Sequence, residues 1–199
     1  MTTDILCNDG NKTILIEEMY LHPPRYGMQH CINVHIKPLT PLLKGNVQVL
    51  VIGFGAGWTA AALIEECIKK KCLLELTGLE KNKEVYEQRF KIKPKIESHK
   101  YITGEKHDSI KISVTIGDAT KMIETLKEFD AIILDGWNEL KTPELYSEDF
   151  LKKCYDSLTK KGIITINTGS WNVKENAIRA GFKVETLKHG EYESLVGRK

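Results

Sequence analysis

Three glycines at alternate positions carry the clearest chemical signal in this sequence. They are Gly53, Gly55 and Gly57, and they follow the apolar, mostly β-branched run 49–52. An apolar helix-forming run begins at Thr59. A strand, a glycine-rich turn and a helix form the corner in which α/β proteins hold nucleotides, because a turn without Cβ atoms lets the backbone approach a ligand. The stretch predicts a nucleotide-binding turn, and a purely structural turn is the alternative.

The spacing of these glycines distinguishes between kinds of nucleotide. A dinucleotide fingerprint, G-x-G-x-x-G, would need a third glycine where the bulky Trp58 stands. The observed G-x-G-x-G spacing resembles the S-adenosylmethionine loop of class I methyltransferases, whose ligand has no pyrophosphate. The resemblance implies S-adenosyl-L-methionine as the cofactor, bound by Gly53, Gly55 and Gly57.

Acidic residues follow the next predicted strands. In open α/β sheets the ligand lies outside the carboxyl ends of the strands, so these residues are candidates for the site. Glu80 could accept hydrogen bonds from both ribose hydroxyls. Asp118 could accept from the adenine amino group, and Asp118 and Ala119 are both predicted to bind the cofactor. The alternatives are that Glu80 is merely exposed and that Asp118 caps a helix beginning at Ala119.

Asp135 ends the fourth predicted strand, where the reactive methyl group should lie. A carboxylate there could orient an incoming amine, hold its ammonium form or accept its proton. We therefore predict that Asp135 is the catalytic residue of a methyl transfer, a reaction that depends mainly on in-line alignment. The alternative is an aspartate that stabilises the following turn.

Aromatic and basic residues are expected around the mouth of this pocket. A planar substrate could stack on an aromatic ring, although aromatic residues of α/β proteins are also common in cores. The aromatic candidates are Trp58, Trp137, Tyr146 and Trp171, and the predicted substrate-binding residues are Trp137, Lys141, Tyr146 and Trp171. A positive surface could come from Arg25, His30, Lys141, Lys174, Arg179, Arg198 and Lys199.

Alternating strand and helix patterns from residue 47 onward predict an α/β fold with a doubly wound, mostly parallel, seven-stranded Rossmann-like sheet. The predicted strands are 47–52, 73–79, 111–116, 130–135, 162–167, 182–187 and 192–197, and the predicted helices are 28–43, 57–70, 82–92, 119–127, 147–159 and 172–180. Residues 3–16 are predicted to form a small β-hairpin, and the polar segment 91–100 an exposed loop. We predict an N-terminal hairpin and lid extension over 1–44 and a cofactor-binding domain over 45–199.

The composition is typical of a soluble globular protein, with 41% hydrophobic and 28% charged residues and a net charge of +2. This charge does not by itself indicate nucleic-acid binding. The five cysteines and six histidines show no metal-ligand spacing, so we predict no metal site and a reducing compartment. The sequence shows neither a signal peptide nor a membrane-spanning run, and we expect a cytoplasmic location without membrane contact.

Two longer stretches carry a more specific resemblance. Residues 134–146 read Leu-Asp-Gly-Trp, then place Lys141 before Pro-Glu-Leu-Tyr, and residues 168–182 end in Ala-Gly-Phe. Both are similar to the methyltransferase module of the MnmC family, which finishes 5-methylaminomethyl-2-thiouridine at the tRNA wobble position in bacteria. The resemblance covers about residues 45–185.

This resemblance implies methyl transfer from S-adenosylmethionine to the exocyclic amine of 5-aminomethyl-(2-thio)uridine. Asp135 stands at the family's catalytic aspartate. A tRNA would then be the substrate, and the enzymes that make the aminomethyl precursor would be further partners.

Two other functions stay open. The N-terminal region resembles the hairpin and gate of spermidine synthases at Asp9-Gly10, Glu17-Glu18, Tyr20 and His22-Pro23. Those enzymes also use an aspartate after the fourth strand to handle an amine. An aminopropyltransferase is therefore the main alternative, although the acidic residue expected a few positions after Asp135 for gripping a polyamine is missing. The other is a non-catalytic module, which would predict loss of a loop glycine or of Asp135, and both are present.

Overall fold

The computed structural model describes residues 3–16, 19–21, 24–92 and 94–199. Within them, ten strands form two sheets. The strands are β1 Thr3–Leu6, β2 Lys12–Ile16, β3 Met19–Tyr20, β4 Asn46–Ile52, β5 Leu73–Glu80, β6 Ile110–Ile116, β7 Phe129–Leu134, β8 Leu158–Ile166, β9 Lys183–His189 and β10 Tyr192–Arg198. The α-helices are α1 Gly27–Cys31, α2 Lys37–Leu39, α3 Trp58–Lys69, α4 Lys83–Glu87, α5 His99–Ile102, α6 Ala119–Met122, α7 Glu148–Ser157 and α8 Trp171–Arg179. A π-helical segment, Ile32–Ile36, joins α1 to α2, and 3-10 turns lie at Gln88–Phe90, Ile123–Thr125 and Pro143–Tyr146.

The large sheet confirms the predicted fold class. Its seven strands follow the order β6-β5-β4-β7-β8-β10-β9. The strands from β6 to β8 are parallel, and β10 runs antiparallel to both β8 and β9. The order of the chain reverses between β4 and β7. The crevice outside their carboxyl ends is thus the switch point at which open α/β sheets bind ligands.

The apolar run of β4 is buried on both faces of the sheet, as expected of a central parallel strand. Val49 and Val51 belong to a core that includes buried residues of α3, such as Leu63. Leu50 and Ile52 belong to a second core, formed with α7 and α8 on the opposite face. Helices thus pack against both faces of β4. They fix the position of this strand and of the glycine turn that follows it.

The small N-terminal sheet contains the predicted hairpin of β1 and β2, and β3 adds a third antiparallel strand. The hairpin turn is tied to α1, because the Asp9 carboxylate accepts a hydrogen bond from the Met28 amide at 2.7 Å. This bond satisfies one of the backbone donors that a helix start leaves open. Of the residues compared with the spermidine synthase gate, Glu17, Glu18, His22 and Pro23 lie outside the described residues. No helix in the described ranges is long and apolar enough to cross a membrane.

The prediction of an exposed loop over 91–100 is confirmed only in part. Lys91, Lys95 and Glu97 are exposed, but the end of the segment packs on α3. Ser98 donates from its hydroxyl to the Ala61 carbonyl at 2.7 Å, and the His99 ring donates from Nε2 to the Ala56 carbonyl at 3.1 Å. Both side chains are buried. Their polarity reflects internal hydrogen bonding rather than contact with solvent.

Replacing Ile102 by alanine should test this packing. Ile102 is buried in the same core as α3, and its Cγ2 lies 2.5 Å from the position that a Cβ on Gly57 would take. We expect Ile102→Ala to lower the free energy of unfolding by about 2–4 kcal/mol, the cost of a cavity in a packed core. Leu140→Ala, at a residue that is 87% exposed, should change it by less than about 0.5 kcal/mol in the same urea titration. Equal free energies of unfolding for Ile102→Ala and Leu140→Ala would contradict the packing of Ile102 in the core.

Candidate active site

A cavity of about 900 Å³ opens at the switch point of the sheet. The turns after β4, β5, β6 and β7 line it, together with residues of the N-terminal segment. The predicted site residues that line it are Gly53, Gly55, Glu80, Asp118, Ala119, Asp135, Trp137 and Lys141. The structure does not bring Gly57, Tyr146 or Trp171 to the cavity lining.

The glycine turn lies directly against the turn that carries Asp135. Gly53 has a φ of +79°, and a Cβ at this position would lie 2.6 Å from the Asp135 carbonyl oxygen and 2.8 Å from the Gly136 Cα. A side chain would therefore separate the two strand ends. Gly57, with a φ of +82°, precedes α3 and lets the chain enter that helix.

Glu80 extends from the end of β5 toward the glycine turn. Its Oε2 accepts a hydrogen bond from the Gly55 amide at 2.8 Å, and its Oε1 accepts from the Asn82 amide at 2.9 Å. Burial raises the pKa of this carboxyl group above its usual value. Each carboxylate oxygen retains a lone pair for a ligand, so Glu80 could hold the two hydroxyls of a ribose.

Asp118 both caps a helix and lines the cavity. Its Oδ1 accepts hydrogen bonds from the amide and hydroxyl of Thr120, and Lys81 Nζ lies 3.2 Å from its Oδ2. The Thr120 hydroxyl and Lys81 hold the pKa of this carboxyl group below its usual value. Lys81 also lies 3.8 Å from Glu144, so it bridges the rim of the cavity. The sequence analysis gave Lys81 no role in the site.

The Asp135 carboxylate lies at the centre of the switch point and is 13% exposed. Thr59, in the first turn of α3, donates from its hydroxyl to Oδ2 at 2.5 Å. His35 Nε2 lies 3.3 Å from Oδ1. The sequence analysis placed Thr59 in an apolar helix and gave His35 no role. Each contacts Asp135, which is far away in the chain, so no local pattern connects them.

Two more polar side chains, His30 and Asn167, line the same end of the cavity as Asp135. His30 Nε2 lies 2.9 Å from the Asn167 side-chain oxygen. Burial lowers the pKa of the His30 imidazole, which favours its neutral form near pH 7. Asn167 directly follows β8, so the strand-end rule that found Asp135 could also have found it.

The predicted aromatic cluster is not formed. Trp58 is fully buried under the glycine turn. Tyr146 is buried too, and its hydroxyl donates to the carbonyls of Trp137 and Gly136. It therefore holds the turn after Asp135 instead of offering a ring face to a substrate. Trp171 is 68% exposed and lies outside the cavity lining. Trp137 is the aromatic candidate that reaches the cavity.

The predicted positive surface is also smaller than expected. Arg198 pairs with Ile163, which itself pairs with Ala131 near the start of β7, and the Lys199 amide donates to the Gly162 carbonyl. Both residues are thus at the opposite end of the sheet from the cavity. Arg25 forms an ion pair with Glu191. His30 and Lys141 are the members of the predicted set that line the cavity.

The cavity fits an adenosyl ligand with an amino-acid tail. The glycine turn leaves backbone exposed on one wall, and Glu80 and Asp118 line the path toward the turn after β6. Asp135 lies on the other side of the glycine turn from Glu80 and Asp118, because β7 and β5 flank β4. The lining therefore offers separate places for a nucleoside and for a reacting group.

Residues 80–194 match the profile of a family described as S-adenosyl-L-methionine-dependent methyltransferase. The chain belongs to this methyltransferase family. Its cofactor is S-adenosyl-L-methionine, as the glycine spacing implied. The match includes the strand ends that carry Glu80, Asp118 and Asp135.

Curated relatives share part of the sequence of this methyltransferase. A polyamine aminopropyltransferase of Prochlorococcus marinus subsp. pastoris is 28% identical over 144 residues, which are 71% of this chain and 47% of the relative. An uncharacterised protein of Methanocaldococcus jannaschii is 26% identical over 208 residues, which are 96% of this chain and 55% of the relative. The chain thus spans about half the length of the curated relatives it matches.

Solved structures share the fold of the methyltransferase. MnmC2 from Aquifex aeolicus superimposes with a TM-score of 0.88 at 22% identity, over 99% of this chain and 70% of that one. Spermidine synthase from Thermotoga maritima superimposes with a TM-score of 0.70 at 17% identity, over 100% of this chain and 69% of that one. The N-terminal segment is therefore included in the shared architecture.

Replacing Glu80 should weaken cofactor binding before it affects folding. We expect Glu80→Gln to raise the Kd for S-adenosylmethionine about tenfold or more, because hydrogen bonds to a charged acceptor are lost. Isothermal titration calorimetry measures the change. Glu87→Gln, on the exposed side of α4, is the matched control and should leave the Kd unchanged.

The same titrations should depend on pH in the wild-type protein. Because burial raises the pKa of Glu80, its charged form is lost earlier as the pH falls. The cofactor affinity should therefore drop on acidification and reach a plateau at higher pH, and Glu80→Gln should flatten this profile. If the Glu80→Gln variant has the wild-type affinity and the wild-type pH profile, Glu80 does not bind the cofactor.

Proposed function

We propose that this methyltransferase transfers the methyl group of S-adenosylmethionine to the exocyclic amine of 5-aminomethyl-(2-thio)uridine at the wobble position of a tRNA. One observation carries the reaction type: the Asp135 carboxylate lines the cavity beside the glycine turn, where an acceptor would meet the cofactor. The substrate is the one that the resemblance of 134–146 and 168–182 to the MnmC family implies.

An amine acceptor suits the charge of this cavity. Five of its lining residues are acidic, namely Glu80, Glu84, Asp118, Asp135 and Glu144, and three are lysines, namely Lys81, Lys83 and Lys141. Lys81 is paired with two of the carboxylates. Asp135 has a hydroxyl and an imidazole as neighbours instead. A carboxylate in such a place attracts an ammonium group and keeps it next to the reacting carbon.

The chain's own residues have three tasks in this reaction. S-adenosylmethionine supplies a methyl group that its positively charged sulfur activates for transfer. Asp135 accepts one proton from the bound ammonium group, which frees the lone pair of the nitrogen, and orients the neutral amine. That lone pair forms the new N–C bond as the C–S bond breaks and its electrons go to the sulfur. Glu80 and the glycine turn hold the nucleoside so that nucleophile, carbon and sulfur stay in line. Trp137 and Lys141, on the rim, contact the uridine and its neighbouring phosphate.

Acidic residues near the rim do not oppose a polyanionic substrate as strongly as their number suggests. Glu191 is paired with Arg25, and Glu193 lies 3.7 Å from Lys188. These pairs neutralise the turn between β9 and β10. Two basic residues lie at the end of the sheet where the cavity opens, Lys141 in its lining and Lys174 on α8. Lys174 Nζ lies 5.9 Å from the ring centre of the exposed Trp171.

Aminopropyl transfer from decarboxylated S-adenosylmethionine is the second candidate. The similarity to a polyamine aminopropyltransferase and to spermidine synthase favours it. Against it, Asn138 stands three positions after Asp135, where an acidic residue would grip a polyamine. Its amide lines the cavity without a negative charge.

Parallel assays with two donor and acceptor pairs decide between these functions. We expect methylation of tRNA that carries 5-aminomethyl-(2-thio)uridine, detected as a mass increase of one methyl group in the digested nucleoside. The same tRNA without the aminomethyl group is the control and should stay unmodified. Transfer from decarboxylated S-adenosylmethionine to putrescine, with no product on tRNA, would instead establish the aminopropyltransferase.

Asp135→Asn tests the catalytic assignment. The amide keeps the shape of the side chain but removes its charge and its ability to accept a proton. We expect kcat for methyl transfer to fall at least about tenfold, at the modest end of acid–base effects, with an unchanged Kd for S-adenosylmethionine. Single-turnover kinetics and calorimetry measure the two quantities. Wild-type turnover would demote Asp135 to a turn residue.

Salt dependence tests whether the substrate is a nucleic acid. Binding that involves phosphate contacts releases counterions, so the affinity for tRNA should fall steeply between about 50 and 200 mM salt. Lys141→Ala should make this dependence shallower, because it removes one such contact. Lys152→Ala, on the exposed side of α7, is the control and should not change it. Turnover on tRNA that is insensitive to salt would contradict a phosphate-bound substrate.

A further inference from the structure

A histidine beneath the candidate catalytic carboxylate has no place in the function described so far. His35 is fully buried, between the N-terminal helix and the large sheet. Its Nδ1 lies 2.8 Å from the Thr165 hydroxyl on β8, and its Nε2 lies 3.3 Å from Asp135 Oδ1. The second contact is within ion-pair distance but does not have the geometry of a hydrogen bond, and a small movement of either side chain would form one. The imidazole therefore joins a strand of the sheet to the carboxylate across the interior.

The partners of the ring determine where its proton lies. The Asp135 carboxylate is an acceptor, and an unprotonated Nε2 would place two lone pairs against each other at 3.3 Å. The Thr165 hydroxyl can donate or accept, so it can satisfy Nδ1 in either form. An Nε2–H facing Oδ1, with Thr165 facing Nδ1, is the arrangement in which all the groups are compatible.

The second carboxylate oxygen is held from another direction. Thr59 donates to Oδ2 from the first turn of α3, while His35 approaches Oδ1 from the N-terminal helix. The Thr59 hydrogen bond and the nearby His35 ring act on different oxygens, so together they limit the rotation of the carboxylate about its bond to the chain. A side chain held in this way presents its remaining lone pairs to the cavity in one direction.

His35 lies on a segment of unusual backbone winding. The π-helical segment Ile32–Ile36 ends with the Lys37 amide donating to the Ile32 carbonyl, five residues back, whereas an α-helix forms this bond to the residue four back. His30, which lines the cavity, lies in α1 just before this segment. Short π-helical segments frequently occur at functional sites.

We propose that His35 is a positioning residue for Asp135, and that its Nε2–H holds the carboxylate in the orientation that receives the acceptor amine. The proposal rests on the function of Asp135 proposed above. His35 is not among the residues that line the cavity, so it acts through Asp135 and contacts neither substrate nor cofactor. Thr165 in turn orients the imidazole.

Two substitutions of similar polarity separate positioning from simple filling of the interior. The side-chain amide of glutamine can place a donor near the position of Nε2, whereas asparagine reaches only the position of Nδ1. His35→Gln should therefore keep the contact with Asp135 and lose the one with Thr165. His35→Asn should do the reverse.

We expect His35→Asn to lower kcat about tenfold or more, with the Kd for S-adenosylmethionine unchanged, because the carboxylate loses the donor that faces Oδ1 and can bond to it when the acceptor is bound. His35→Gln should retain kcat within about threefold of the wild type. The unfolding midpoint of each variant shows whether both remain folded under assay conditions. Equal kcat in the two variants, whether high or low, would overturn the proposal.

A measurement without substrate keeps the proposal testable whatever the acceptor is. In ¹⁵N spectra of the imidazole, His35 should be protonated at Nε2, and the Nε2 signal should shift in Asp135→Asn. A ring protonated on Nδ1 alone, or an unchanged Nε2 signal, would overturn the proposal. If tRNA is not methylated but these spectra are as expected, the substrate assignment fails and the contact between His35 and Asp135 stands.

Discussion

A carboxylate that is largely removed from water needs polar partners, because an isolated buried charge is very costly. Asp135 obtains them from α3, through Thr59, and from the N-terminal helix, through His35. Its own backbone amide donates to the Ile52 carbonyl of β4 at 2.9 Å. Asp135 therefore connects the end of β7 with the start of α3 and with the N-terminal helix. The shape of the cavity follows from this junction, since the glycine turn occupies the space beside it.

The N-terminal segment belongs to this site as much as the sheet does. Tyr20, Leu21 and His30 line the cavity. Behind them, the rings of His30 and Tyr192 lie 4.7 Å apart, and Arg25 is paired with Glu191. The segment is therefore anchored to the turn between β9 and β10, at the antiparallel edge of the sheet. The segment also reaches the glycine turn, because Leu21 Cδ1 lies 3.5 Å from the position that a Cβ on Gly55 would take.

The fold could be predicted from the sequence because its main signals are local. The apolar run of β4, the glycine turn and the alternation of strands and helices each lie within a short window. The strand-end rule also brought Glu80, Asp118 and Asp135 to one cavity. His35 and Thr59 could not be found in this way, since their partners are 100 and 76 positions away in the chain. Trp171 does not line the cavity. Its place in the sequence, shortly after β8, does not determine in which direction the first residue of α8 faces.

Two transfer reactions share this architecture because they make the same physical demand. Both methyl and aminopropyl transfer need an amine held in line with a positively charged sulfur, and a carboxylate at the switch point meets that need in either case. Similarity to MnmC2 and to spermidine synthase is therefore expected of one scaffold and does not separate them. The difference has to lie where the acceptor enters. Three positions after Asp135, where an acidic residue would grip a polyamine, the chain has the neutral amide of Asn138, close to the basic Lys141. Under the proposed function, Asp135 therefore receives the single amine of the acceptor, and Lys141 is placed to meet a neighbouring phosphate.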